Sequence, residues 1–474
     1  MSTHEASRRM GNALALGGGE FGSRIIAFVA TAYLAIVLGP ERFGVLGFAF
    51  AIISYTSVFL EAGFVDVGSR DVAKKPDNAI TLATSVTLLK IGLAAICFIV
   101  LSIAAWLLES NTEHALVIIA TGLLLFATAL DTSWVYKGLE QGLPVSMSLI
   151  FRRLAFAMLV LFFITGPEHM LRAPMMQFIG ELLGVLWLTR RLFAEGFGRM
   201  DIALAWHTYR SCAPLIAGKL LRTSIVTLDV ILLGLLTTDQ EVGLYTAPYR
   251  FCYFLIAIAA AIQIAYLPDV GRSTPGHERR AAARRHLEIS ATLGIPLAAG
   301  GVYVAAPLIQ LLFGNEYTDG THAFQLLLCS TGVVFLFAPL HNILLAEDRL
   351  QWEFWGFGVA ALINLVLNLI WIPVYGIVGA AWATLLAEIM VLIWVGISVF
   401  SSMRATLLRP LVPPCIGSTV MIAVLMALPD QLIHLYITVP AGAAVYIVTL
   451  VVLRKVPEDA ASALRRIIQR SGAA

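Results

Sequence analysis

Five cationic side chains lie inside apolar runs, where a bilayer would deprive them of water: Arg24, Lys90, Lys219, Arg222 and Arg250. Arg24 sits about a dozen residues into its run, roughly 18 Å at 1.5 Å rise per residue. That depth defeats easy snorkelling in a hydrocarbon core about 30 Å thick. A guanidinium so placed costs a few kcal/mol or more and needs water, a partner or a ligand. Lys219, Arg222, Val226 and Asp229 follow i, i+3, i+7, i+10 spacing and share one helical face. Repeated cations inside a membrane protein suggest a pocket for something negative, and an arginine fork grips an anion better than lysine. Arg24, Arg222, Lys219 and Arg250 are therefore the expected substrate-binding residues, with Lys90 on a more peripheral span.

The competing use of these cations is to pair with intramembrane acids and hold helices together. Glu20, Glu61, Asp131, Glu181, Asp229 and Glu388 are the candidates. Glu20 precedes Arg24 by one helical turn, which makes a local pair easy. Glu20, Asp229 and Glu61 are the acids expected to serve ion coupling or charge balance, because carboxylates inside a bilayer commonly relay protons or sodium. Whether the cations grip a ligand or neutralise Glu20 and Asp229 stays open.

Other chemistries find little footing. Gly17-Gly18-Gly19-Glu20-Phe21-Gly22 satisfies G-x-G-x-x-G literally, but a dinucleotide site needs a strand before it and a βαβ unit around it. Close helix packing or a bend in the first span is the better reading. Cys97, Cys212, Cys252, Cys329 and Cys415 have neither metal-ligand nor disulfide spacing. No Ser/His/Asp set and no phosphate-cradling loop stands out, so no catalytic residue, metal or cofactor is expected, and the chain is not expected to be an enzyme. Scattered basic residues give no nucleic-acid patch. Asn364 and Asn368 read as interhelical hydrogen-bonding residues. His341, Asn342 and the aromatics Tyr55, Phe59, Tyr249, Phe251 and Tyr253 read mainly as core.

The elements that position these residues follow from composition. The 474 residues are 59% hydrophobic and 13% charged, with a mean hydropathy of +0.85. A soluble protein would carry about 25% charged residues. The class is all-α and polytopic, with fourteen apolar runs near 12–38, 43–64, 81–108, 114–136, 146–165, 172–189, 211–236, 242–267, 288–313, 322–345, 354–373, 376–400, 411–428 and 433–453.

With the N-terminus cytoplasmic, alternate loops place 25 of the 32 Lys and Arg residues inside, Arg152 and Arg153 among them. Only Arg42 and Arg172 fall outside, and five are intramembrane. Such asymmetry supports fourteen spans with both ends cytoplasmic. Ser7-Arg8-Arg9 then reads as a cytoplasmic anchor, not a cleaved signal. The basic strip His277–Leu287 reads as a surface linker facing an anionic leaflet.

Leu38-Gly39 followed by Phe43-Gly44-Val45-Leu46 is echoed by Leu233-Gly234 followed by Val242-Gly243-Leu244-Tyr245. The echo suggests two pseudo-symmetric six-helix lobes, residues 1–195 and 196–400 (with the linker 272–287), plus two further helices and a tail in 401–474. Repeats of this kind are the usual basis of alternating access.

Leu38-Gly39-Pro40-Glu41-Arg42-Phe43-Gly44 resembles the turn after the first helix of bacterial oligosaccharide flippases, and Gly68-Ser69-Arg70-Asp71-Val72-Ala73-Lys74 their basic stretch after the second. Asp229–Gly234 with Val242–Arg250 is similar to their seventh and eighth helices. Leu312–Tyr317, Asn364–Leu369 and Ile372–Ala381 also fit. The resemblance covers nearly the whole chain and is to the polysaccharide transporter branch of the superfamily that holds multidrug exporters and lipid II flippases.

It implies a flippase moving undecaprenyl-pyrophosphate-linked oligosaccharide across the inner membrane for polysaccharide synthesis. The implied partners are membrane lipids, a glycan polymerase and a chain-length regulator, with the monomer as functional unit. A lipid II flippase is the near alternative and a cation-coupled multidrug exporter the farther one. The exporter would favour an acidic, aromatic cavity and usually twelve spans. A membrane glycosyltransferase or polymerase would call for long extracytoplasmic loops, which are lacking here.

Overall fold

The computed structural model describes residues 3–61, 63–194, 196–274, 276–427, 435–457 and 459, with side chains described from residue 17 onward and outside 400–407. The anchor Ser7-Arg8-Arg9 and the tail cations Arg465, Arg466 and Arg470 lie outside the described side chains. The described residues form helices and no strand. In order these are α1 (Thr3–Glu61), α2 (Ser69–Lys74), α3 (Ala79–Leu108), α4 (Thr112–Gly122), α5 (Leu124–Leu130), α6 (Ser133–Gly138), α7 (Gly142–Phe163) and α8 (Arg172–Leu192). They continue as α9 (Ile202–Leu236), α10 (Asp239–Arg272), α11 (His277–Tyr303), α12 (Ala305–Phe313), α13 (Thr321–Ala346), α14 (Leu350–Leu408), α15 (Val412–Met426) and α16 (Leu435–Val452).

Among the described residues nine helical stretches are long and apolar enough to cross a membrane, and the pair α11–α12, bent by 82°, makes ten. Two of them, Gly17–Lys74 with 58 residues and Leu350–Val399 with 50, are twice the length one crossing needs. Each carries a break. Gly39 takes φ 72°, ψ 168° ahead of Pro40, a backbone that glycine adopts freely and that proline cannot continue as helix. Gly376, three residues past Pro373, has φ 53°. Splitting both gives twelve segments. The 21-residue α8 and the 35-residue α9 are also long enough to cross, but they carry too many charged or polar residues to count among these apolar stretches.

Two compact units result, Met1–Arg250 and Phe251–Ala474. The first has a core where Val58, Phe64, Trp134 and Cys212 pack together, and the Phe64 and Trp134 ring centroids lie 6.2 Å apart. Both copies of the repeated signature meet inside it. A Cβ on Gly44 would stand 1.8 Å from the Asp239 carbonyl oxygen, and one on Gly243 would stand 1.8 Å from that of Pro40. Gly44 and Gly243 are thus where two backbones touch, whereas Gly234 makes room for the Phe48 ring. Gly19 behaves similarly: a Cβ there would lie 2.5 Å from Ser146 Cβ, so this one glycine of the run packs α1 against α7, while a Cβ on Gly17, Gly18 or Gly22 would meet nothing within 4 Å.

In the second unit, α15 and α16 pack on α11 through Met421, Leu425, Tyr446 and Leu450. Tyr446 donates to the Thr292 carbonyl at 2.8 Å, and Tyr303 to that of Leu425 at 2.9 Å. The linker strip is helical from His277. The Thr274 hydroxyl, then its amide, donates to the Glu278 carboxylate at this start and holds its carboxyl below the ordinary range.

Candidate functional site

The intramembrane charges of the first unit fall into two environments. On α1, Arg24 Nη2 meets Glu20 Oε1 at 2.7 Å, yet both side chains stay open, 43% and 55% exposed. Arg24 lies about 22 Å along the helix from the break at Gly39, by 1.5 Å rise per residue. On α9, capped at its start by Asp201 accepting from the Leu204 amide at 2.9 Å, Lys219 Nζ approaches Glu61 Oε2 at 3.6 Å, again with both side chains nearly half exposed. Arg222, one turn on, is exposed; Arg250 is half-buried, and neither is without a partner. Tyr55 Oη and Ser224 Oγ, 3.0 Å apart, tie the second half of α1 to this stretch of α9. An exposed charge at mid-span is costly against acyl chains and is tolerated against water.

Asp229 belongs to the same helical face by spacing but is fully buried. Its carboxylate accepts from the Tyr245 hydroxyl, and from the Val230 amide at 2.8 Å.

The second environment surrounds a break in a helix. The chain leaves helical geometry between α5 and α6 at Asp131 and Thr132, which frees carbonyls that hydrocarbon cannot satisfy. Side chains from two neighbouring helices recapture them. Lys90 of α3, buried at 2% exposure, donates to the Thr128 carbonyl at 2.9 Å. Thr189 of α8 donates to that of Leu130 at 2.8 Å. Asp131 accepts from the Ser133 amide at 2.8 Å and pairs with Arg152 Nη1 at 2.9 Å. Glu181 closes the set, 3.6 Å from Arg152 and 2.6 Å from Arg153. Lys90 also sits 5.7 Å from the Phe64 ring centroid.

This network corrects the loop-charge count. Arg152 and Arg153, assigned by that count to the cytoplasmic side, stand mid-way along the 22-residue α7. The available signal was their position only six residues inside the apolar run 146–165, with Asp131 and Glu181 left over as intramembrane acids.

In the second unit His341 Nδ1 pairs with Glu353 Oε2 at 2.6 Å, and Asn342 donates to the Gln263 carbonyl at 2.9 Å. Asn368 donates to Asn364 Oδ1 at 3.0 Å on the same helix, so this bond is intrahelical where an interhelical one was expected. Among the described residues no group of three or more His, Cys, Asp or Glu could hold a metal.

Comparison with known proteins places these features in a family. Residues 10–272, more than half of the chain, match the model described as "Polysaccharide biosynthesis protein". A "Putative O-antigen transporter" of Escherichia coli (strain K12) is 26% identical over 255 residues, which cover 52% of this chain and 61% of that relative, so the match spans less than two thirds of its length. A protein of the same description from Shigella dysenteriae is 21% identical over 78% of this chain and 94% of its own. Among solved structures, "Lipid II flippase MurJ, inward closed conformation" superposes with a TM-score of 0.77 at 14% identity, over 92% of this chain and 97% of that one. An inward-facing multidrug resistance MATE transporter of the MOP superfamily gives 0.59 at 16%, over 80% and 95%. At such identities the structural matches speak for the fold alone: a polytopic helical architecture shared with membrane transporters. With more than half of its length matched to the family model, the chain belongs to the polysaccharide biosynthesis protein family.

Proposed function

We propose that this chain is a flippase that carries undecaprenyl-pyrophosphate-linked oligosaccharide across the bacterial inner membrane, with both termini cytoplasmic. Arg24, Lys219, Arg222 and Arg250 bind the pyrophosphate. Rocking of the six-helix lobes 1–195 and 196–400 alternates access. The observation that carries this reading is that Arg24, Lys219 and Arg222 remain exposed in the middle of long helices, where only an aqueous, ligand-accepting surface tolerates them. Glu20 and Glu61 keep these cations balanced in the empty state, and the arriving anion competes for them. Lys90 belongs to the helix break in this reading, and Asp229 to the interior beside Tyr245.

The family and the O-antigen description of two relatives support a polysaccharide precursor as cargo. The test is export of lipid-linked glycan in cells whose own flippase is deleted. Arg24→Ala and Arg222→Ala proteins, present in the membrane at normal levels, are expected to lose export. Full export by both ends the proposal. Rescue of cells lacking a lipid II flippase, with no rescue of O-antigen export, would move the cargo to lipid II.

A further inference from the structure

A second site lies on the same unit, away from the helices that carry the exposed cations. A cavity of about 1140 Å³ opens among α3, α7 and α8. Leu88, Phe151, Leu183, Leu186 and Trp187 give it an apolar wall, and all five present exposed side chains to it. The hydroxyls of Thr84 and Thr189 are already engaged. Thr84 donates to the Ile80 carbonyl at 2.9 Å and accepts from the Gly198 amide at 3.0 Å, while Thr189 serves the helix break. The charged member of the lining is Arg190, exposed and, among the described residues, in no ion pair. The wall is otherwise suited to hydrocarbon, so the cavity is amphipathic with one cationic end.

Its depth sets the size of the occupant. Arg190 lies in the last turn of α8, at the end expected on the basic side of the membrane. From Arg190 back to Leu183 the helix rises roughly 10 Å, within the ~15 Å of a single leaflet. A ligand seated here keeps its anion at the headgroup level and its tail within one leaflet. A polyprenyl chain has far more length than that, whereas an acyl chain fits.

We propose that this groove is a binding site for a glycerophospholipid with an anionic headgroup, its phosphate on Arg190 and an acyl chain against Leu183, Leu186 and Trp187. Basic pockets between membrane helices on the cytoplasmic side recognise such headgroups. The site is independent of the transported cargo.

The test uses the full-length protein in detergent, incubated with phosphatidylglycerol or phosphatidylcholine of identical acyl chains, with adducts counted by native mass spectrometry. Retention of phosphatidylglycerol is expected to exceed that of phosphatidylcholine about fivefold, the contribution of one basic residue at an anionic surface. Arg190→Gln should bring the ratio to about one, and Arg191→Gln should leave it unchanged. Leu186→Trp, which fills the groove, should lower retention of both lipids. Equal retention of the two lipids by the unmodified protein overturns the proposal, as does a preference that survives Arg190→Gln or falls equally with Arg191→Gln. Displacement of phosphatidylglycerol by an equimolar polyprenyl phosphate overturns it too, by making the groove a seat for the cargo.

Discussion

The first unit holds two sets of intramembrane charges that look alike in sequence and differ in kind. Around Asp131, Lys90 and Arg152 are buried and directed at carbonyls and carboxylates of a broken helix. On α1 and α9, Arg24 and Lys219 have carboxylate partners too, but about half of each side chain remains accessible. A buried pair loses hydration that only its partners replace, so removing one member strands the other. An open pair keeps much of its hydration and can exchange its partner for a ligand. Accessibility, more than pairing, separates charges that hold the fold from charges free to bind.

The contrast is most easily broken at Arg152. Arg152→Ala leaves Asp131 and Glu181 without their shared guanidinium, and such a loss typically costs about 3–5 kcal/mol. A steep fall in membrane-inserted, monodisperse protein is expected, together with a lower thermal midpoint. If Arg152→Ala accumulates and melts like the unmodified protein, the network does not hold the break. Next in size are the glycines at the crossing of the repeated signature. Gly243→Val places its Cβ within 1.8 Å of the Pro40 carbonyl oxygen, so a backbone must move, at a cost of about 1–3 kcal/mol. Leu244→Val, one residue on, should be milder in the same melting assay. Equal midpoints for these two variants would mean that the crossing has slack.

Much of this architecture is legible in the sequence, for physical reasons. Apolar runs of spanning length and the distribution of Lys and Arg depend on bilayer thickness and surface charge, which act on each segment locally. The break at Gly39-Pro40 is legible too, because the dipeptide limits its own backbone. The network around Asp131 is a different matter. It joins side chains from α3, α7 and α8 to Asp131 in the break after α5, and nothing in the local pattern says that Arg152 meets an acid 21 positions away. The same holds for Asp229, whose spacing with Lys219 and Arg222 puts it on their face. Two turns beyond Arg222, the helix is covered by Tyr245 of α10, and the carboxylate is closed off. Helical spacing fixes direction around an axis but not what covers each level of it.

The smallest expected effect on stability separates the two kinds of charge most sharply. Lys219 and Glu61 form an open pair, and such pairs contribute about 0–1 kcal/mol. Lys219→Ala should therefore leave the melting midpoint within a few degrees of the unmodified protein, yet abolish glycan export if Lys219 meets the pyrophosphate. The doubly exchanged protein, Lys219→Glu with Glu61→Lys, restores an ion pair between the same two positions while moving the cation from α9 to the end of α1. A pair that only fastens α1 to α9 works in either orientation, so export should return with the exchange. A cation that must face the ligand from α9 does not, and export should stay lost although the protein is stable. Recovered export would transfer Lys219 to the company of Lys90 and Arg152, and continued loss at normal stability would keep it among the binding residues.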